Sequence, residues 1–258
     1  TRATDNSAIL AFCNLVGGQD ELIFDGGSLV INQEGQVIAR SPRFEEDLLI
    51  ADIDAESVFR NRLQDPRRRK EKRGIQKLNT IQLPDVHPIQ NAVASSPTPT
   101  FPSPEDQLHN IYNALVLGTK DYVRKNGFEK VFIGLSGGID SALVTAIAYD
   151  ALGKENVICV TMPTKYSSDG TFNDALQMAG NLDIRILSLR IQDIFDQYLG
   201  LLSDEFKGLP TDTAEENIQP RIRGTLLMAL ANKFRALVLA PGNKSEMSTG
   251  YATLYGDM

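Results

Sequence analysis

Apolar and polar residues alternate in short runs over the first sixty positions, then give way to longer runs punctuated by glycine and proline. "AILAFCNLV" (8–16), "SLVINQEGQVIA" (28–39) and "LLIADID" (48–54) read as strands with turn signals between them. Asn32 to Gly35 predicts a hairpin turn within the second run. Together they form a β-rich piece too small to be a whole domain.

Beyond residue 104 the pattern becomes a strand–helix alternation. "KVFIGL" (130–135) predicts a strand and Asp140–Leu152 a helix ended by Gly153. "NVICVTM" (156–162) predicts a second strand, closed by Pro163. A helix near Gly170–Asn181, a strand near Ile184–Leu189 and a helix near Ile191–Leu202 follow. "TAEENIQPRIRGTLLMALANKF" (213–234) starts with Thr213 and Glu216 at capping-box spacing, and Pro220 either sits early in that helix or splits it. "ALVLAP" (236–241) is another strand. Strands separated by helices of this length imply an α/β fold, a parallel sheet with helices on both faces. Ligands bind such sheets at the carboxyl ends of the strands.

Between the two patterns, residues 84–104 hold six of the twelve prolines and read as an extended linker. Just before them "DPRRRKEKRG" (65–74) is either a solvated charged segment or an arm for an acidic partner subunit. The expected division is a β-rich piece at 1–60, a charged and Pro-rich linker at 61–104, and the α/β domain at 105–258.

Composition narrows the function classes. At 258 residues, 42% hydrophobic and 23% charged, the chain is ordinary globular sequence, with no apolar run of about 18 residues that would span a membrane. It begins without Met and without a signal-peptide pattern, which suggests a segment of a longer protein. A net charge of −7 disfavours a broad nucleic-acid surface. Cys13 and Cys159, the two cysteines, both fall in apolar strand-like runs without metal or redox spacing, which fits a cytoplasmic protein. With His87 and His109 as the two histidines, imidazole is a poor candidate for the chemistry.

The strongest chemical signal is "GLSGGIDSAL" (134–143), between a strand and a helix. A bare Gly-Gly turn is the plainer reading, but Ser136, Asp140 and Ser141 surround these glycines. Glycines admit backbone N–H groups close to an anion, and a helix N-terminus adds a favourable field. The lysine of a kinase-type phosphate loop is missing, and so is a G-x-G-x-x-G dinucleotide fingerprint. Asp140 would repel phosphate unless a cation intervened, and Mg²⁺ is the natural intermediary.

"LSGGIDS" resembles the phosphate loop of the ATP pyrophosphatase superfamily. The stretches at 213–234 and 242–258 are similar to bacterial glutamine-dependent NAD synthetase, and residues 2–39 to the C-terminal part of its nitrilase-like glutaminase domain. The resemblance implies amide formation on nicotinic acid adenine dinucleotide, with ATP as co-substrate, Mg²⁺, and ammonia or glutamine as nitrogen source; the alternatives are another amidotransferase of the ATP pyrophosphatase type and a nucleotide-binding fragment without turnover. It further implies a homo-oligomer, with no membrane and no nucleic-acid partner. On its motifs, Gly134, Leu135, Ser136, Gly137, Gly138, Ile139, Asp140 and Ser141 form the ATP loop. Asp140 and Glu246 are the expected catalytic and metal-binding carboxylates, with Glu246 alternatively a contact to the dinucleotide. Asn217 and Arg223 match positions facing the dinucleotide; Tyr251 and Asp257 match weaker ones, where packing or capping is the alternative. Pro241 stands where the family has a threonine that contacts ATP, which removes a hydroxyl and a backbone N–H. The glutaminase nucleophile is expected upstream of Thr1, and Cys13 is expected to be a buried structural residue.

Overall fold

The computed structural model of the chain describes residues 2–65, 106–165 and 169–256. Asp257 and nearly all of the charged, proline-rich segment lie outside them. Two units are distinguished by their internal contacts: Thr1–Gly17 with Ile23–Asn110, and Gly18–Leu22 with Ile111–Met258.

In the N-terminal part, a short helix α1 (Arg2–Asn6) precedes β1 (Leu10–Phe12), β2 (Val16–Gln19), β3 (Leu22–Asp25), β4 (Leu29–Ile31) and β5 (Val37–Arg40). β1, β4 and β5 form an antiparallel sheet in that order, and β2 pairs with β3. The expected hairpin joins β4 to β5, and its chemistry is local. Asn32 Oδ1 accepts from the amides of Glu34 and Gln36, and Gly35 takes the left-handed conformation at φ 87°.

Two expectations fail here. The apolar run around Cys13 is not one strand: it breaks between β1 and β2, where Asn14 bonds Asp25 and the Gly26 carbonyl, leaving Cys13 exposed. "LLIADID" is not a strand either. Leu48 and Ile50 are exposed in irregular chain, and Asp54 caps α2 (Ala55–Gln64) by accepting from the Ser57 amide. With no neighbouring strand among the described residues to satisfy its backbone, the aspartate's capping preference prevails over β-propensity.

The second unit holds a four-stranded parallel sheet. Its elements are α3 (Asp106–Lys125) from Ile111 onward, β6 (Val131–Gly134), α4 (Ile139–Leu152), β7 (Val157–Thr161), α5 (Asp169–Asn181), β8 (Arg185–Ser188), α6 (Gln192–Leu202), α7 (Thr213–Phe234), β9 (Leu237–Leu239) and α8 (Lys244–Thr249). The spatial order is β8-β7-β6-β9. Strand alternation separates two cores. Val131, Ile133, Val157 and Cys159 pack with Val123 of α3, Ala148 and Ala151 of α4, and Ala175 and Ala179 of α5. Phe132, Ile158 and Val160 pack on the other face with Phe195 of α6 and Ile218, Ile222 and Ala231 of α7. Strands buried on both faces need no polar alternation, which is why β6 and β7 read as continuous apolar runs. Burying Phe132 or Ile133 contributes about 1.5–3 kcal/mol each.

α7 runs unbroken through Pro220. Its capping box lies one residue upstream of the expected pair: Asp212 accepts from the Ala214 amide, while Glu215 accepts from the Asp212 amide. Aspartate is the better cap and wins over Thr213. No helix among the described residues is long and apolar enough to cross a membrane.

Candidate functional site

The chain enters the sheet at its centre, runs outward through β7 and β8, then returns to the other side of β6 as β9. The strand order therefore reverses between β6 and β9, and a cleft opens at their carboxyl ends. "LSGGIDS" follows β6, and its Leu135 and Ser136 line that cleft.

The loop is held by its own side chains. The Leu135 amide donates to the Val160 carbonyl of β7 at 2.9 Å. Ser141, 2% exposed, donates from its hydroxyl to the Gly138 carbonyl at 2.9 Å and accepts from the Ser136 amide at 3.3 Å. Its oxygen also lies 3.1 Å from Ser136 Oγ, which accepts from the Gly138 amide at 3.2 Å. One donor and two lone pairs are then all used, so the Ser141 hydroxyl shapes the turn from within. Gly137 sits at φ 88°, and a Cβ on it would lie 2.0 Å from the Thr171 carbonyl oxygen. Only glycine fits. No side chain caps α4 at Gly138, so the first-turn amides are left without a side-chain acceptor there. Asp140 and Ile139 are exposed on the first turn of that helix.

A cavity of about 970 Å³ opens beside the loop. Of the residues expected at the site, Gly134, Leu135, Ser136, Arg223 and Pro241 line it. Arg223 is half-buried on α7. Desolvation lowers its pKa from the usual guanidinium value, and its side-chain contact is Gln219 Oε1 at 3.5 Å. No carboxylate pairs with it among the described residues. A guanidinium taken partly out of water without a counter-charge suits an anionic ligand group.

The remaining expected residues that the structure describes lie outside the cavity lining. Asn217 Oδ1 accepts from the Thr253 hydroxyl at 3.2 Å. Glu246 belongs to a second capping box: Asn243 Oδ1 accepts from its amide at 2.9 Å and its Oε2 accepts from the Asn243 amide at 3.1 Å. Tyr251 is exposed, with its amide on the Glu246 carbonyl. Among the described residues, no group of three or more His, Cys, Asp or Glu residues is placed to hold a metal.

Sequence reading missed Thr161, Met162 and Phe172, as well as Tyr255 beyond α8, all of which line the cavity. The available signal for the first two was position, directly at and after the carboxyl end of β7 beside the loop strand. Tyr255 carried no motif.

A family model for NAD synthase matches residues 111–258, and one for carbon-nitrogen hydrolase matches residues 1–61. Glutamine-dependent NAD(+) synthetase of Thermotoga maritima is 49% identical over 257 residues, which cover 100% of this chain and 44% of that protein. The Aquifex aeolicus protein of the same name is 45% identical, covering 100% and 45%. Among solved structures, glutamine-dependent NAD+ synthetase from Acinetobacter baumannii in complex with adenosine diphosphate is 40% identical with a TM-score of 0.78, covering 100% of this chain and 42% of that one. The chain thus spans less than half the length of the curated relatives it matches. The NAD synthase model covers more than half of this chain, and the chain belongs to the NAD synthase family.

Proposed function

We propose that this chain forms the nucleotide-handling part of an amide-forming ligase that converts nicotinic acid adenine dinucleotide to NAD. The observation that carries the reading is the Ser-Gly-Gly loop at the reversal of strand order, opening on the same cavity as the Arg223 guanidinium, which no carboxylate pairs among the described residues.

A carboxylate is a poor electrophile toward ammonia. Its oxygen therefore attacks the α-phosphorus of ATP, pyrophosphate leaves, and the carboxylate becomes an acyl adenylate. Ammonia then attacks the acyl carbon, AMP leaves, and a proton is lost to give the amide. Most of the rate gain in such transfers comes from positioning and charge neutralisation. The amides of the loop and the N-terminus of α4 would hold the phosphates that depart as pyrophosphate. Ser141 keeps the loop in shape for them, and Arg223 faces the dinucleotide. One or two carboxylates plus phosphate oxygens are a donor set that fits Mg²⁺, so Asp140, and Glu246 through its remaining oxygen, would hold the ion. When bound, it would neutralise charge on the phosphates. In the whole protein, glutamine would supply the ammonia through the domain to which residues 1–61 are similar.

The test mixes protein, acid dinucleotide, ATP, Mg²⁺ and ammonium salt and resolves the products by mass spectrometry. AMP, pyrophosphate and NAD in equal amounts are expected. AMP release without NAD in the presence of the acid dinucleotide would refute the reading.

A further inference from the structure

Thr145 lies one helical turn beyond the Ser-Gly-Gly loop, on α4, and takes no part in the assignments above. It is fully buried. Ala148 and Leu152, which follow it along the same face of the helix, belong to the first of the two cores. A valine has nearly the same shape and suits such a place better, because a buried hydroxyl costs free energy unless it is hydrogen-bonded. Here the hydroxyl has a definite partner. It donates to the Ser141 carbonyl at 2.7 Å. Its one proton is then used, and its other neighbour, the Cys159 thiol at 3.8 Å, is a weak one. A bond from threonine back to the carbonyl four residues earlier adds nothing that the helix lacks, and it tends to bend the helix.

The place of the bond gives its use. Ser141 is the residue whose hydroxyl holds the loop: the Gly138 carbonyl, the Ser136 hydroxyl and the Ser136 amide meet it at 2.9, 3.1 and 3.3 Å. One hydroxyl keeps three groups in register only while its own backbone is fixed. Thr145 fixes the carbonyl of that same residue from the core side, in a first turn that no side chain caps. The loop is thus fastened twice. The Leu135 amide ties its start to the Val160 carbonyl of β7, and Thr145, beside Cys159 of the same strand, holds its end.

We propose that Thr145 is a positioning residue for the loop: its hydroxyl fixes Ser141, and through Ser141 the amides that would meet the departing phosphates. The proposal rests on the assignment of those phosphates to the loop in the functional reading above. It adds a side chain that touches no substrate and acts from behind the site.

Titration calorimetry on the full-length protein with Mg²⁺ tests it with three probes: ATP, pyrophosphate, and AMP, which lacks the two phosphates assigned to the loop. In Thr145→Val, ATP and pyrophosphate should bind about fivefold more weakly, the scale of one hydrogen bond, while AMP binds as before. Thr145→Ser keeps the hydroxyl and should bind all three within about twofold of the parent. Stability should follow the opposite order. Valine leaves the Ser141 carbonyl its place in the helix and opens no cavity, so Thr145→Val should melt no lower than the parent. Serine loses a buried methyl group and should melt lower. Parental affinity for ATP and pyrophosphate in Thr145→Val, an equal loss for AMP, or melting of Thr145→Val below Thr145→Ser would each overturn the positioning role. A parent protein that binds ATP but yields no NAD would overturn the ligase reading and leave this role standing, whereas one that binds neither ATP nor pyrophosphate would overturn both.

Discussion

The Cys159 thiol is fully buried in β7, and desolvation pushes its pKa up to about 11, against which a contact from Thr145 acts weakly. Cys13 is exposed. A thiol reagent near pH 8 should therefore modify one cysteine per native chain and two after denaturation, as counted by mass spectrometry. Because the folded-state pKa lies above the ordinary value of 9.0, protonated Cys159 contributes stability in full below pH 9, and the contribution fades as pH rises toward 11. Cys159→Ala should show a flatter stability profile over that window in urea titrations. At the loop, Asp140→Asn should cut AMP release by roughly 10²-fold if the carboxylate anchors the cation. Pro241 lines the cavity where a hydroxyl is expected, so Pro241→Thr should tighten ATP binding by about 1 kcal/mol, one neutral hydrogen bond. Unchanged affinity in calorimetry would mean that the loop has adapted to proline.

Elements test the balance between propensity and packing. Replacing Gly224 with Ala in the interior of α7 would gain about 1 kcal/mol of helix propensity. The added carbon, however, would sit 2.5 Å from the Gly256 oxygen, and such overpacking costs typically about 1–3 kcal/mol. The clash should win, giving a net loss of stability in urea unfolding and a weaker grip on the acid dinucleotide. The same competition explains what was legible in the sequence. β6, α4, β7, α5, β8, α6, α7 and β9 were readable because apolar period and glycine or proline stops agreed along each of them. α3 was missed, for it follows the proline-rich segment without a distinct start signal. "LLIADID" misled because apolar content is not strand pairing: it pairs with no strand among the described residues, and Asp54 serves the next helix.

At the scale of the whole molecule, the Ser-Gly-Gly loop was legible as a strand-to-helix turn because its residues are contiguous and lie between two readable elements. The cavity was not, since its wall is assembled from Ser136, Met162, Phe172, Arg223, Pro241 and Tyr255, which meet through the sheet order alone. That β6 stands at the centre of the sheet has a thermodynamic consequence. A nucleotide seated in the cleft, as proposed, would touch β6, β7, α7 and the stretch after β9 at once, so no form that had lost one of them would retain the site. Nucleotide then acts as a non-covalent cross-link across the unit, stabilising it by RT ln(1 + [L]/Kd), about 2.7 kcal/mol at a hundredfold excess over Kd. Amide exchange of β6, β7 and β9 should slow together on adding ATP, by a common factor on the order of a hundredfold at that excess. Protection confined to the loop would show that the strands open independently of the ligand.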